Sequence, residues 1–165
     1  LLSERLVMRF GIKPPLITGL TLMTVALVLL ARTPVDGNWA IDILPATIAI
    51  GLGAGIAFNP ILLAAMSGVP QEQAGLASGV VNTSFMMGGA VGLAILASLA
   101  DRRSDTLLAS GDGELEALLG GYHVAFVVGA VFLVASAIVA AALLRVEAPQ
   151  PHGQEFGELA TAEAD

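Results

Sequence analysis

The fold is decided by residues 74–98, AGLASGVVNTSFMMGGAVGLAILAS, which run without a charged side chain. As an α-helix rising about 1.5 Å per residue, this stretch is about 37 Å long, enough to cross a hydrocarbon core of about 30 Å. At about 100° per residue it has two faces. Its polar face carries Ser78, Asn82, Phe85, Gly89 and Gly92, and its apolar face carries Val80, Met87, Val91 and Ala94. Such a pattern predicts a membrane helix that packs its polar face against protein and exposes its apolar face to lipid.

The composition is that of a membrane protein. Of its 165 residues, 56% are hydrophobic and only 13% are charged, with a mean hydropathy of +0.84. Soluble domains carry about 25% charged residues. The seven basic residues do not cluster, which argues against a nucleic-acid partner, and the absence of cysteine excludes a disulfide framework or a thiolate metal site. We expect the lipid bilayer as a partner, with no metal and no cofactor.

Four charge-poor runs predict an all-α integral membrane protein. The transmembrane helices are expected at residues 15–31, 43–66, 74–98 and 122–144. Four crossings leave both ends on the same side of the membrane. The basic residues before the first span predict that this side is the cytoplasm and that the protein lies in the cell membrane. The connections are then a cytoplasmic loop (1–14), an external loop (32–42), a cytoplasmic turn (67–73), an external loop that could form amphipathic turns (99–121) and an acidic, disordered cytoplasmic tail (145–165).

Small residues at four-residue spacing predict close helix packing. A pair of this kind lets two backbones approach within a membrane. The pairs are Gly51 and Gly55, Gly75 and Gly79, and Gly88 and Gly92.

Two intramembrane amides stand at similar depth on either side of the short turn at 67–73. Asn59 precedes the turn and Asn82 follows it, each about 10–12 Å inside the membrane edge. The two amides are expected either to hydrogen-bond across a helical hairpin or to line a central cavity. Phe85 and Met86 lie one turn deeper and could line an apolar substrate cavity or serve ordinary packing.

Two motifs resemble the major facilitator superfamily. Residues 51–96 resemble the penultimate helix pair of its fourteen-helix drug:proton antiporters, in which a Gly-rich helix and a VP-containing turn precede A-G-x-A-S-G-x-x-N-T and G-G-x-x-G. LVMRFGIK, residues 6–13, resembles the end of the family's G-x-L-x-x-R-x-G-x-K/R loop, represented here by Arg9, Gly11 and Lys13.

This resemblance implies that the chain forms part of the C-terminal half of a transporter. The partners would be the preceding N-terminal helices, a small-molecule substrate and protons, with efflux by alternating access. Arg9, Gly11 and Lys13 would serve as a cytoplasmic gate contact, or simply as positive-inside charges. Candidate cavity or gate residues are Asn59, Ser78, Asn82, Phe85 and Met86. Ser84-Phe85-Met86 stands where the family often has an Arg-Gln pair, and the family's membrane-embedded acids belong to earlier helices.

Two other classes of protein share features with this sequence. A small structural or accessory membrane protein, or a non-functional remnant, would also have four apolar helices, and an open reading frame continuing upstream of Leu1 would favour the transporter. An intramembrane serine protease would pair Ser78 with His123. These residues are expected about 25–30 Å apart, whereas a nucleophile and its base need about 3 Å. We therefore expect no enzyme.

Overall fold

The computed structural model describes residues 11–143, and four helices dominate this part of the chain. They are α1 (Lys13–Leu30), α2 (Leu44–Met66), α3 (Ala74–Ala109) and α4 (Glu114–Leu143). A π-helical turn, Trp39–Ile43, leads into α2, and a 3₁₀ turn, Gln71–Gln73, leads into α3. All four helices are long and apolar enough to cross a membrane, which confirms the predicted all-α membrane fold. Arg9 and the predicted acidic tail lie outside the described residues.

The helices pack in the order α2, α1, α4, α3. α1 contacts both α2 and α4 extensively, and α4 contacts α3, whereas α2 and α3 touch only sparsely. The row curves, so that all four helices wall one apolar depression of about 920 Å³, here called the central groove. The short turn at 67–73 suggested that α2 and α3 would be close neighbours. That expectation is wrong, because a short connection brings only the helix ends together.

Glycine does bring helices into close contact, but at positions other than the predicted ones. A Cβ added to Gly53 would lie 2.7 Å from the carbonyl oxygen of Gly19, and one added to Gly19 would lie 2.6 Å from that of Gly53. On the α3–α4 side, Gly121 packs directly against Ala100. No atom of another described element lies within 4 Å of a Cβ added to any of the predicted residues, Gly51, Gly55, Gly75, Gly79, Gly88 and Gly92. These six glycines therefore make no close interhelix contact within the described chain, and their packing role stays a prediction.

The connection predicted as a loop at 99–121 is mostly helical. α3 continues to Ala109, about 16 Å past residue 98, and α4 already begins at Glu114. Gly111, with φ 95°, closes α3, since left-handed geometry lets the Asp112 amide donate to the Leu107 carbonyl. The Glu116 carboxylate accepts from the Gly113 amide at 3.3 Å and so caps α4.

Threonine hydroxyls within the spans are satisfied locally. Each donates to the carbonyl oxygen four residues earlier, at 2.7–3.0 Å. In hydrocarbon this internal bond removes the cost of an unpaired hydroxyl, so these residues do not mark polar sites. They are Thr18, Thr21, Thr24, Thr47 and Thr83.

Candidate functional site

A cleft of about 360 Å³ lies between α2 and α3, here called the α2–α3 cleft. Its walls are mostly apolar, and Ser78 and Asn82 contribute side-chain polar groups. Ligand sites for small organic molecules commonly combine apolar walls with a few such groups. The lining residues are Phe58, Ile61 and Leu62 from α2, and Ser78, Gly79, Val81, Asn82 and Phe85 from α3.

The α3 wall of the cleft follows directly from helical periodicity. Ser78, Asn82 and Phe85 are spaced i, i+4, i+7, which places them on one side of the helix. The structure confirms that they share a face and gives them a common cleft.

An aromatic pair joins the two walls. The rings of Phe58 and Phe85 meet edge to face, with centroids 6.1 Å apart and planes at 81°. Such a pair contributes about 0.5–1.5 kcal/mol beyond area burial. Phe58 was missed by sequence reasoning, because a single phenylalanine in an apolar helix has no distinguishing pattern. Its importance depends on which helix faces it.

The other two candidate residues lie elsewhere. Asn59 does not line the α2–α3 cleft, and no hydrogen bond joins it to Asn82 within the described residues. The amide–amide bond proposed from depth matching is therefore not formed. Met86 also lies outside the cleft and is 70% exposed.

The two faces of α3 are only partly as predicted. Val80 and Met87 line a shallow depression on the side opposite the cleft, as expected. Val91, predicted to face lipid, instead lines the central groove beside Gly92. Residues of α4 line the same groove, so helix arrangement as well as periodicity decides which side of α3 faces inward there.

Lys13, at the start of α1, contacts α4. Its Nζ donates to the Ala141 carbonyl oxygen at 2.6 Å. Ala141 lies in the last described turn of α4. Gly11, with φ 81°, precedes α1 in a left-handed conformation. The bond ties the start of α1 to α4 at Ala141, and it is a contact within this chain.

His123 marks the opposite end of the bundle from Ser78. Its Nε2 lies 2.9 Å from the Thr33 carbonyl oxygen, linking α4 to the segment after α1. His123 is close in level to the contact between Gly121 and Ala100, and Ala100 lies about 33 Å along α3 from Ser78. Ser78 and His123 therefore cannot act as a nucleophile and base. Among residues 11–143, no three His, Asp or Glu side chains group as a metal site would require.

Comparison with known proteins gives one family and several relatives named for drug resistance or export. A sequence profile of the Major Facilitator Superfamily matches residues 1–164. The chain is 30% identical over 161 residues to the puromycin resistance protein pur8 of Streptomyces alboniger, covering 93% of this chain and 32% of that protein. It is 36% identical over 119 residues to the cephamycin export protein CmcT of Amycolatopsis lactamdurans, covering 72% of this chain and 23% of that protein.

A third relative has a similar description. The multidrug resistance protein Stp of Mycobacterium tuberculosis is 31% identical over 98 residues, covering 59% of this chain and 18% of that protein. The chain thus spans about a third or less of the length of these curated relatives. No solved structure matches the chain.

Proposed function

Because the chain belongs to the Major Facilitator Superfamily, we propose that it supplies four helices of the C-terminal half of an exporter that moves small organic compounds or drugs out of the cell in exchange for protons. The relatives named for puromycin resistance, multidrug resistance and cephamycin export support an exporter of such compounds. The A-G-L-A-S-G-V-V-N-T run, residues 74–83, supports the drug:proton antiporter branch and the C-terminal position.

The observation that carries the proposal is the α2–α3 cleft. Two aromatic rings, a hydroxyl and an amide face a cavity in an otherwise apolar span. This lining suits a partly apolar organic substrate with a hydrogen-bonding group. The sparse contact between α2 and α3 also supports a moving part, since helices that are not tightly packed can change their separation as the two halves of a transporter rock.

Proton coupling belongs to other helices of the same transporter under this proposal. The lining of the α2–α3 cleft contains no carboxylate. An intramembrane proton carrier needs an ionisable side chain. The chain therefore contributes substrate contact and packing, and the preceding helices contribute the coupling acid.

The multi-pass chain lies in a lipid bilayer, and we place it in the cell membrane with both ends in the cytoplasm. Four spans put both ends on the same side. The early basic residues, including Lys13, support the cytoplasmic assignment through the positive-inside rule.

Substrate efflux by the full-length protein tests the role of the cleft. In a drug-sensitive host, Asn82→Ala and Phe85→Ala should each reduce energised efflux about 5-fold or more, the effect of losing about 1 kcal/mol of hydrogen-bonding or aromatic contact. The matched controls, Val80→Ala and Met87→Ala, lie on the opposite face of α3 and should leave efflux within about twofold. Surface expression is measured for every variant.

Two outcomes would contradict the proposal. Equal loss in cleft and control variants would mean that α3 acts only as packing. Absence of proton-dependent efflux by the unmodified full-length protein, at normal surface expression, would favour an accessory membrane protein.

A further inference from the structure

A second groove lies between α1 and α4, away from the cleft. It has a volume of about 490 Å³ and is here called the α1–α4 groove. Its lining is aliphatic except for two side chains, a threonine at one end and an arginine at the other. The residues are Thr24 and Val28 from α1, Ala31 and Arg32 from the segment that follows it, and Val127, Ala130, Val131 and Val134 from α4.

The α1–α4 groove faces outward from the four-helix unit. On α4 the central groove is lined by Phe132, Ser136 and Val139, whereas the α1–α4 groove is lined by Val127 and Val131 among others. At about 100° per residue the two sets point in nearly opposite directions. The α1–α4 groove therefore opens on the side of α4 that is turned away from the interior of this bundle.

The groove is charged at one end and apolar at the other. Arg32 lies two residues after the end of α1, next to Thr33, whose carbonyl oxygen lies 2.9 Å from His123 Nε2. Trp39, 63% exposed in the following turn, is a residue type enriched at the membrane–water interface. At the deep end, the Thr24 hydroxyl already donates to the Leu20 carbonyl, so it does not need a hydrogen bond from a bound molecule. The polar end thus lies at headgroup level and the apolar end within the hydrocarbon.

This arrangement matches an amphiphile with an anionic head and an aliphatic tail. Arginine donates several hydrogen bonds in a fixed plane, a geometry that fits phosphate oxygens. Val127 and Val131 are 51% and 59% exposed, so they leave aliphatic surface for a chain to cover. From Val127 to Val134 the wall extends about 10 Å along α4.

We propose that the α1–α4 groove binds one anionic phospholipid, with its phosphate on Arg32 and an acyl chain along Val127, Val131 and Val134. The lipid belongs to the leaflet on the Trp39 side of the membrane. This binding requires only that the chain is inserted in a bilayer, and it is independent of which substrate the transporter carries.

Fluorescence quenching by labelled lipid tests the proposal on the full-length protein. A bimane fluorophore is attached at Val131→Cys, and the protein is placed in nanodiscs containing nitroxide-labelled phosphatidylglycerol or phosphatidylcholine at equal mole fraction. We expect phosphatidylglycerol to reach half-maximal quenching at about fivefold lower mole fraction, the preference that one arginine near the membrane surface provides. A label at Val80→Cys, outside the groove, should show no such preference.

Charge variants test whether Arg32 causes the preference for phosphatidylglycerol. Arg32→Gln should abolish it, and Arg32→Lys should retain most of it and show that the substituted protein still folds. Arg103→Gln, which removes an equal charge outside the groove, should leave it unchanged.

Three results would overturn the proposal. Equal quenching by both lipids in the unmodified groove would show ordinary lipid contact without a site. Loss of the preference in Arg103→Gln as much as in Arg32→Gln would assign it to general surface charge. No quenching by either lipid would mean that protein, either another helix of the transporter or a second copy, covers the groove.

Discussion

Replacing Gly53 with alanine tests whether the α1–α2 contact holds the bundle together. The added Cβ would lie 2.7 Å from the Gly19 carbonyl oxygen and 2.7 Å from Cγ of Met23. Real Cβ atoms essentially never lie closer than 3.0 Å to such a neighbouring heavy atom. The Met23 side chain can rotate away, but the Gly19 carbonyl is part of a helix backbone and can move only if the two helices separate. Gly51, two residues earlier on the same helix, has no such neighbour and provides the matched control.

The magnitude follows from two opposing terms. In a helix interior, alanine is favoured over glycine by about 1 kcal/mol, and this gain applies at both positions. Overpacking at a close contact costs about 1–3 kcal/mol, and this cost applies only at Gly53. Gly51→Ala should therefore stabilise the protein by up to about 1 kcal/mol, and Gly53→Ala should be less stable than Gly51→Ala by about 1–3 kcal/mol.

The free energy of unfolding is measured on the full-length protein by titration with sodium dodecyl sulfate in mixed micelles, with far-ultraviolet circular dichroism as the readout. The difference between the two alanine variants isolates the contact, because the helix-propensity term cancels. If Gly51→Ala and Gly53→Ala change the free energy by the same amount, the close approach of α1 and α2 at Gly53 is refuted.

Two further bonds at the ends of the bundle give separate predictions. His123→Ala should lower the free energy of unfolding by about 1 kcal/mol, because the bond to the Thr33 carbonyl is lost. The control, Tyr122→Phe, should change the free energy of unfolding by less than about 0.5 kcal/mol. If the two variants are equally stable, the His123–Thr33 bond does not contribute to stability. Lys13→Met should speed backbone hydrogen exchange around Ala141 about 2–10-fold, because the bond from Lys13 to the Ala141 carbonyl is lost, while Lys13→Arg should preserve protection. The comparison is made by mass spectrometry, and unchanged exchange around Ala141 in Lys13→Met would contradict the contact.

Hydropathy correctly predicted four spans but not the extent of the helices. It measures which residues tolerate lipid, and a helix can continue into water. Asp101, Arg102 and Arg103 ended the predicted third span, yet α3 continues through them to Ala109. A local signal for the true connection was present in the sequence, because Gly111 suits a helix C-terminus and Glu116 a helix N-terminus.

Helical periodicity determined which residues share one face of α3, and the tertiary structure determined which residues lie opposite that face. Ser78, Asn82 and Phe85 had to share one side of α3, since their spacing alone requires it. Whether Phe58 or Asn59 would stand opposite them depends on the rotation of α2, which its nearly uniform apolar surface leaves undetermined.

The same distinction separates the glycines. Spacing identified Gly51 and Gly55 as able to pack closely, but it is Gly53, with Gly19 opposite, that does so. Many small residues permit close approach, and only the position and angle at which two helices cross select one of them. The sequence by itself therefore determined a membrane chain of four helices with one polar face on α3. Tertiary packing decided the helix order α2, α1, α4, α3, and with it which residues form the cleft and the grooves.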